Sequence, residues 1–357
     1  MQKPLLWLKD MLEIGLFQNQ RNWALIKEQV MVYLEEDHSC GKAQNGLLTV
    51  KLEKALASRF NRQYCITTAS CTDALVIALL SMDLKPNSKV GVSNYTFSAS
   101  AHAVARAGHT VVPIDVGKDY CYDLESQSPQ VDAIMGVDMF GNMCNWPKLE
   151  QLGVPVLNDA AQSIESHNGV KYSAGYGDAA CLSFSPSKTI SSWGSGGAIL
   201  TDNKRIADKA KKLRLHGKQT NNESAIHPGL NSMMSSFECA CVLVGLERSN
   251  EWQKRRHKIA SYLREKSPYA CATSDLKMHT HSKLVFQSAK RSEIQEQLKQ
   301  NGISSTVHYN LMINDEPLYR GGKTLPISKR LKEISFTVPN QHTLTDAEVE
   351  HIGKHLK

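Results

Sequence analysis

Lys188 and Asp159 carry the chemistry that can be read most directly from the chain. Both fall within residues 154–202, which hold two short apolar runs, VPVLN and AACLSFS, each ending in polar side chains. Runs of that length bounded by turn residues predict buried strands. The first delivers Asp159, and the second delivers Ser183 and, shortly after it, Lys188. A carboxylate and a lysine just past strand ends lie where a parallel α/β sheet keeps its ligand crevice. Gly194, Gly196 and Gly197 follow, ahead of another apolar run, AILT. A glycine-rich turn lets backbone approach a ligand closely.

Such a set suits pyridoxal phosphate. A lysine forms a Schiff base with its aldehyde, and an acidic partner keeps the pyridine nitrogen protonated so that the ring acts as an electron sink. Hydroxyls and backbone N–H groups hold the phosphate. Singly, each residue has a plainer use: most lysines are solvated, and Asp159 in NDAAQ would suit a helix N-cap.

The elements that must position these residues follow from the pattern on either side. Two amphipathic helices are expected, LLWLKDMLEIGLF and NWALIKEQVMVYLEE, then a third over LLTVKLEKALASRF. QYCITTAS predicts a strand, and SCTDALVIALLSMDL a helix whose first turn offers Ser70, Cys71, Thr72 and Asp73. Hydroxyls and free N–H groups there make an anion site, although plain helix capping would use the same residues. KVGVSNYTFSASAHAVARAGHTVVPIDV reads strand, loop, helix, strand, with Gly108 closing the helix, and DAIMGVDMFGN contains a further strand. This alternation predicts a doubly wound, mostly parallel sheet. Residues 204–215 and the long stretch from Leu230 to Lys266 are expected to be helical, with a polar loop, QTNNESAIHPG, between them. From about Ser267 the pattern becomes α+β. HSKLVFQ and ISSTVHY are expected strands, RSEIQEQLKQNG a helix closed by Gly302, and TLTDAEVEHIGKHLK a terminal helix capped by Thr345.

With 357 residues the chain exceeds what one core usually supports, so two domains are expected, 1–248 with the N-terminal helices and 249–357. A hydrophobic content of 41% with mixed charge describes an ordinary globular protein. The net charge of +7 favours anionic ligands, but the basic residues are scattered rather than striped, which argues against nucleic acid. Nine cysteines without regular spacing give neither a zinc pattern nor a disulfide framework, and small apolar neighbours of Cys65, Cys181, Cys239 and Cys241 predict buried thiols. No apolar run reaches membrane-spanning length, and acidic residues interrupt the apolar N-terminus, unlike a signal peptide, so a cytoplasmic location is expected.

NDAAQSIES, GDAACLSFSPSK and GGAILTDN, in that order and spacing, resemble the DegT/DnrJ/EryC1/StrS family of sugar aminotransferases, and the resemblance runs from about Gly46 to the end. It implies pyridoxal 5′-phosphate as cofactor and the α/β fold type I of aspartate aminotransferase: a large domain whose mostly parallel sheet is sandwiched by helices, and a smaller C-terminal α+β domain. It also implies the residue roles. Lys188 would hold the cofactor and move the proton, and Asp159 would pair with the pyridine nitrogen. Gln162 would lie near the ring hydroxyl, and Phe97 would stack on the ring. Ser70, Cys71, Thr72 and Ser183 would surround the phosphate. Asn231, in a segment resembling the family's G-x-N-x-x-M, would reach the partner subunit's phosphate in a homodimer with shared active sites, or else cap its helix. His308 and Tyr309 would lie near the substrate, or His308 would be a buried structural residue.

The expected reaction takes an amino group from L-glutamate to a keto sugar, nucleotide-linked by analogy, for amino sugar biosynthesis. Two departures from the family pattern are visible. Cys71 stands where glycine is usual beside the phosphate, and Ser195 replaces the glutamate of Gly-Glu-Gly-Gly, removing a charge near the site entrance. One relative in the family is a dehydratase with histidine at the lysine position, so Lys188 argues against that chemistry. A lyase or dehydratase, and a non-catalytic ligand-binding regulator, are the alternatives.

Overall fold

A computed structural model of the chain describes residues 13–38, 41–124, 130–220, 223–273, 278–319 and 325–357. The helix expected over LLWLKDMLEIGLF lies largely outside them. Its described end is not helical, and Ile14 instead bridges Ile303. Helices α1 (Asn19–His38) and α2 (Leu47–Arg59) precede an alternation of β1 (Tyr64–Thr68), α3 (Cys71–Ser81), β2 (Lys89–Ser93), α4 (Ala99–Arg106) and β3 (Thr110–Ile114). Then follow β4 (Ala133–Val137), α5 (Trp146–Glu150), β5 (Val156–Asp159), β6 (Ala179–Ser183), β7 (Gly197–Thr201) and α6 (Lys204–Arg214). The chain continues with α7 (Ser236–Lys266), β8 (Ala270–Cys271), β9 (Leu284–Gln287), α8 (Arg291–Gln300), α9 (Pro326–Ile334), β10 (Ser335–Val338) and α10 (Asp346–His355).

Seven strands form one sheet in the order β3-β2-β4-β5-β6-β7-β1, and all run parallel except β7, which is antiparallel to both neighbours. Its central strands are buried along their whole length because helices cover both faces. The two-residue alternation of side chains sorts them between layers. Ala180 and Leu182 of β6 join a core with α1, α2 and α7, whereas Ala179 and Cys181 join one with α3, α4 and α6. In α3, Leu75, Ile77 and Leu79 are each at most 1% exposed. Burial on that scale is worth about 1.5–3 kcal/mol per side chain and holds the helix N-terminus against the sheet.

The small sheet has the order β10-β9-β8, antiparallel throughout. No strand forms over 303–309 among the described residues, contrary to expectation. Thr306 makes one isolated bridge to Thr337, and the chain then turns toward the cavity described below. The strand that pairs with β9 comes later in the chain, as β10, Ser335–Val338. Helix α7 runs unbroken through residue 248, the expected division between domains: Cys239 to Val244 pack in the first core and Ile259, Ala260 and Leu263 in that of the small sheet. A separate cluster fastens the small sheet to the strand ends of the large one, with Tyr95 and Phe140 from the loops after β2 and β4 packing with Val285 of β9 and Leu331 of α9.

Candidate active site

The strand ends decide where the polar groups go. Parallel pairing sets Val137 opposite Asp159 and Asp159 opposite Cys181, so β4 and β5 end together and β6 runs two residues further, to Ser183. Asp159 is 5% exposed; its Oδ2 accepts a hydrogen bond from Ser100 Oγ at 2.7 Å and its Oδ1 one from the Ala161 N–H at 3.2 Å. Burial raises its pKa, and the Ser100 and Ala161 donors pull it back down, with Lys188 adding a smaller pull. Asp159 therefore does not cap a helix; it is a buried carboxylate with donors on both oxygens.

Lys188 sits in the loop from β6 to β7, whose neck is closed by Phe184 N–H to Gly196 O at 2.9 Å and Ser192 N–H to Phe184 O at 2.8 Å. Its ammonium makes no hydrogen bond or ion pair among the described residues. Burial lowers its pKa, while Cys71 and Asp159 act in the opposite direction. Lowering by burial is what turns a lysine toward base and nucleophile.

Both residues line one cavity of about 320 Å³. At another part of its wall is the N-terminus of α3, where Ser70 Oγ caps the Asp73 N–H at 3.1 Å. Ser70, Cys71 and Thr72 all line the cavity, as does Ser183 at the end of β6. Helix capping does not use up the donors there, since the cap takes the Asp73 N–H and leaves the first-turn N–H groups and the Thr72 hydroxyl, groups that could receive an anion. Cys71 is 9% exposed and its thiol is pushed well above its ordinary pKa by burial, so it enters the cavity as a neutral group.

The glycines serve differently from expectation. A Cβ on Gly197 would come within 2.6 Å of the Ser70 carbonyl carbon and oxygen and of the Cys71 nitrogen. Gly197 allows the backbone of α3 to approach β7, and the helix N-terminus in turn meets the cavity. Ser195, the departure from the family pattern, is exposed and lines the cavity.

The remaining expected residues divide. Phe97 lines the cavity, is 56% exposed, and lies 5.6 Å from the Tyr309 ring. Gln162 donates to Tyr309 Oη at 3.1 Å, and its Oε1 accepts from the Phe140 N–H at 3.3 Å. His308 also lines the cavity; its Nδ1 is 2.8 Å from Thr337 Oγ1, and burial, with Lys283 and Lys188 nearby, pushes its pKa down to about 3, so it is neutral. Asn231 is exposed, does not line the cavity, and pairs with Leu215 in an isolated bridge. It does not cap α7, because Ser235 does, with its hydroxyl 3.4 Å from the Glu238 N–H.

Sequence reasoning missed Ser100 and Lys283. Ser100 looked like one more small residue in a helix, and only the position of α4 beside β5 brings it to Asp159. Lys283 stands at the start of an expected strand, 7% exposed, and lines the cavity. A lysine entering an apolar run was the available signal. Cys121, Asp138 and Cys144 also converge, with ligand atoms within 4.8 Å of one another. Asp138 there accepts from the Cys144 N–H at 2.7 Å, Trp146 Nε1 at 3.1 Å and Ser163 Oγ at 3.2 Å, which makes it a hydrogen-bonded hub of the core.

The donor set fits a phosphorylated pyridine aldehyde. One wall offers a helix N-terminus with hydroxyls, and the others a buried carboxylate and a lysine with no partner among the described residues.

Comparison with known proteins agrees with this. Residues 25–357 match the DegT/DnrJ/EryC1/StrS aminotransferase family. A Pseudomonas aeruginosa relative, UDP-2-acetamido-2-deoxy-3-oxo-D-glucuronate aminotransferase, is 28% identical over 96% of this chain and 98% of its own. The fold matches a DegT/DnrJ/EryC1/StrS aminotransferase from Brucella abortus with a TM-score of 0.88 at 23% identity, covering 96% of this chain and 98% of that one. It also matches ntda from Bacillus subtilis, solved with bound cofactor PMP, with a TM-score of 0.87 at 24% identity over 98% of this chain and 85% of that one.

Proposed function

The chain belongs to the DegT/DnrJ/EryC1/StrS aminotransferase family, whose members are pyridoxal-phosphate-dependent sugar aminotransferases, and from that premise we propose that it moves an amino group from L-glutamate to a nucleotide-linked keto sugar. The observation that carries this reading is the convergence of Lys188, Asp159 and the α3 N-terminus on one cavity.

Pyridoxal phosphate supplies an aldehyde that takes up the amine and a ring that delocalises the charge left when a proton departs. The protein's residues do the rest. The first-turn N–H groups of α3, with Thr72 and Ser183, hold the phosphate. Asp159, which the Ser100 and Ala161 donors pull toward its ionised form against burial, would pair with the ring nitrogen and keep it protonated. Lys188, lining the cavity with its pKa lowered by burial, would hold the aldehyde end through Nζ, and its amine is the group placed to take up and return a proton there. Gln162 and Tyr309, hydrogen-bonded to each other, form one wall of the cavity and would lie beside the ring, and Phe97 would stack on it.

A second copy of the chain completes the site in this reading. Asn231, exposed and outside its own cavity, is then free to reach the partner's phosphate. Cytoplasm is the proposed location. The cysteines among the described residues are free thiols, in keeping with a reducing compartment, and no described helix is long and apolar enough to cross a membrane.

The decisive test is the visible absorption spectrum of the purified protein before and after L-glutamate. A near-visible band that shifts on adding the donor is expected. A band indifferent to every amino donor, or a Lys188→Ala protein that still transaminates, would overturn the assignment.

A further inference from the structure

Lys283 places a buried amine where no described residue supplies a counter-charge. Its Nζ donates to the Ser187 carbonyl at 3.0 Å and to its own neighbour's, Ser282, at 3.1 Å. Both acceptors are neutral, and among the described residues no carboxylate pairs with it. Its Nζ lies 4.9 Å from the Phe17 ring centroid, which supplies only a weak cation contact. A cation removed from water and left without an anion is a costly arrangement, and proteins keep one where a ligand brings the missing charge. Burial, with the positive charges of Lys188 and Arg256, holds its pKa down to about 7.

Position says what that ligand is near. Ser187 precedes Lys188, so the carbonyl that Lys283 grips belongs to the turn presenting the reactive amine. Lys283 shares the cavity with Lys188 but enters it from the side of the small sheet, from the residue just before β9, whereas the proposed phosphate cradle is built from α3 and β6. Two of the three ammonium hydrogens are engaged, and one is left for the cavity.

We propose that Lys283 is the carboxylate-receiving residue of the site, pairing with an anionic group of the substrate while the reacting carbon lies beside Lys188. The inference rests on the aminotransferase reading above. The carboxylate comes either from the amino donor or from an acidic sugar of the uronate kind, and the chemistry at Lys283 is the same for both.

Calorimetry on the cofactor-loaded protein separates the cases, with glutarate and UDP-glucuronate as unreactive probes and glutaramide and UDP-glucose as counterparts that lack the carboxylate. Wild-type protein is expected to prefer at least one acid over its carboxylate-free counterpart by tenfold or more, a measurement that needs no variant. Lys283→Met, which replaces a buried charge by an apolar chain of similar length, is expected to weaken that acid by about ten- to a hundredfold, while Lys283→Arg stays within a few-fold of wild type. Loss confined to glutarate assigns the pair to the donor, and loss confined to UDP-glucuronate assigns it to the sugar. Acid affinities that are equal in wild type and Lys283→Met, or a wild type blind to charge, overturn the proposal. If the glutamate-induced spectral shift persists in that event, the aminotransferase reading survives; if wild type shows no shift, that reading fails first.

Discussion

Ser100 Oγ and Asp159 Oδ2 lie 2.7 Å apart, and the hydroxyl is the strongest of the groups that oppose the effect of burial on the carboxylate. Removing it raises the pKa of Asp159. In Ser100→Ala, activity that requires ionised Asp159 should therefore be lost at higher pH than in wild type. A hydrogen bond to a charged group corresponds to about one pH unit or more. The check is the pH profile of kcat/KM: the acidic limb moves up and the alkaline plateau stays within about twofold. An unmoved limb would assign it to another group.

Gly197 predicts a sharp contrast with its neighbour. Its Cβ would strike the backbone of Ser70 and Cys71, which cannot yield without shifting α3, whereas a Cβ on Gly194 would meet only the carboxylate end of Glu238 at 2.9 Å. Gly197→Ala should cost about 3 kcal/mol and loosen the cofactor, and Gly194→Ala about 0.5 kcal/mol or less. Denaturant unfolding with and without cofactor measures both.

Arg21 and Glu348 form a two-pronged pair at 2.8 and 2.7 Å, tying α1 to the capped start of α10. Arg21, with Thr345 adding to it, pulls the Glu348 pKa down to about 2 from an ordinary 4.5. A carboxylate depressed in the folded state stabilises above its unfolded pKa, and that contribution is lost as pH falls from about 4.5 toward 2. The Arg21 side chain is 41% exposed, so screening reduces the worth of the pair to roughly 1 kcal/mol. Glu348→Gln should be less stable than wild type at pH 7, and the two should converge near pH 2.

The shared-site reading of Asn231 is open to subunit mixing. Lys188→Ala and Asn231→Ala homodimers should each be impaired, yet a mixed dimer would contain one site with both residues intact. Remixing equal amounts after dissociation should recover about a quarter of wild-type turnover. No recovery would place Asn231 outside the partner's site.

Much of the arrangement was legible where a local rule and the global fold agree. VPVLN and AACLSFS are buried on both faces, so their apolar continuity marked β5 and β6, and with them the positions of Asp159 and Ser183. Thr345 was expected to cap the terminal helix and does so, and the structure adds Glu348 as the second half of a capping box. Residues 303–309 misled because Ile303, Thr306 and Val307 have the composition of a strand. The chain there spends Ile303 on a bridge to Ile14, Thr306 on one to Thr337, and His308 on the Thr337 hydroxyl. The charge state of Lys283 was beyond reach, because its burial and its nearness to Ser187 arise from packing between segments far apart in the chain.

The edge position of β1 bears on the order in which the molecule can be made. Tyr64–Thr68 pairs with no strand but β7, Gly197–Thr201, the last of the large sheet to leave the ribosome. The first strand synthesised therefore waits with unpaired backbone while the intervening strands and helices emerge, and Cys65 and Ile66 wait with it as exposed apolar surface. The cavity inherits this delay, since Gly197 closes on the Ser70–Cys71 backbone only when β7 takes its place, so the wall formed by the α3 N-terminus is among the last features a nascent chain acquires.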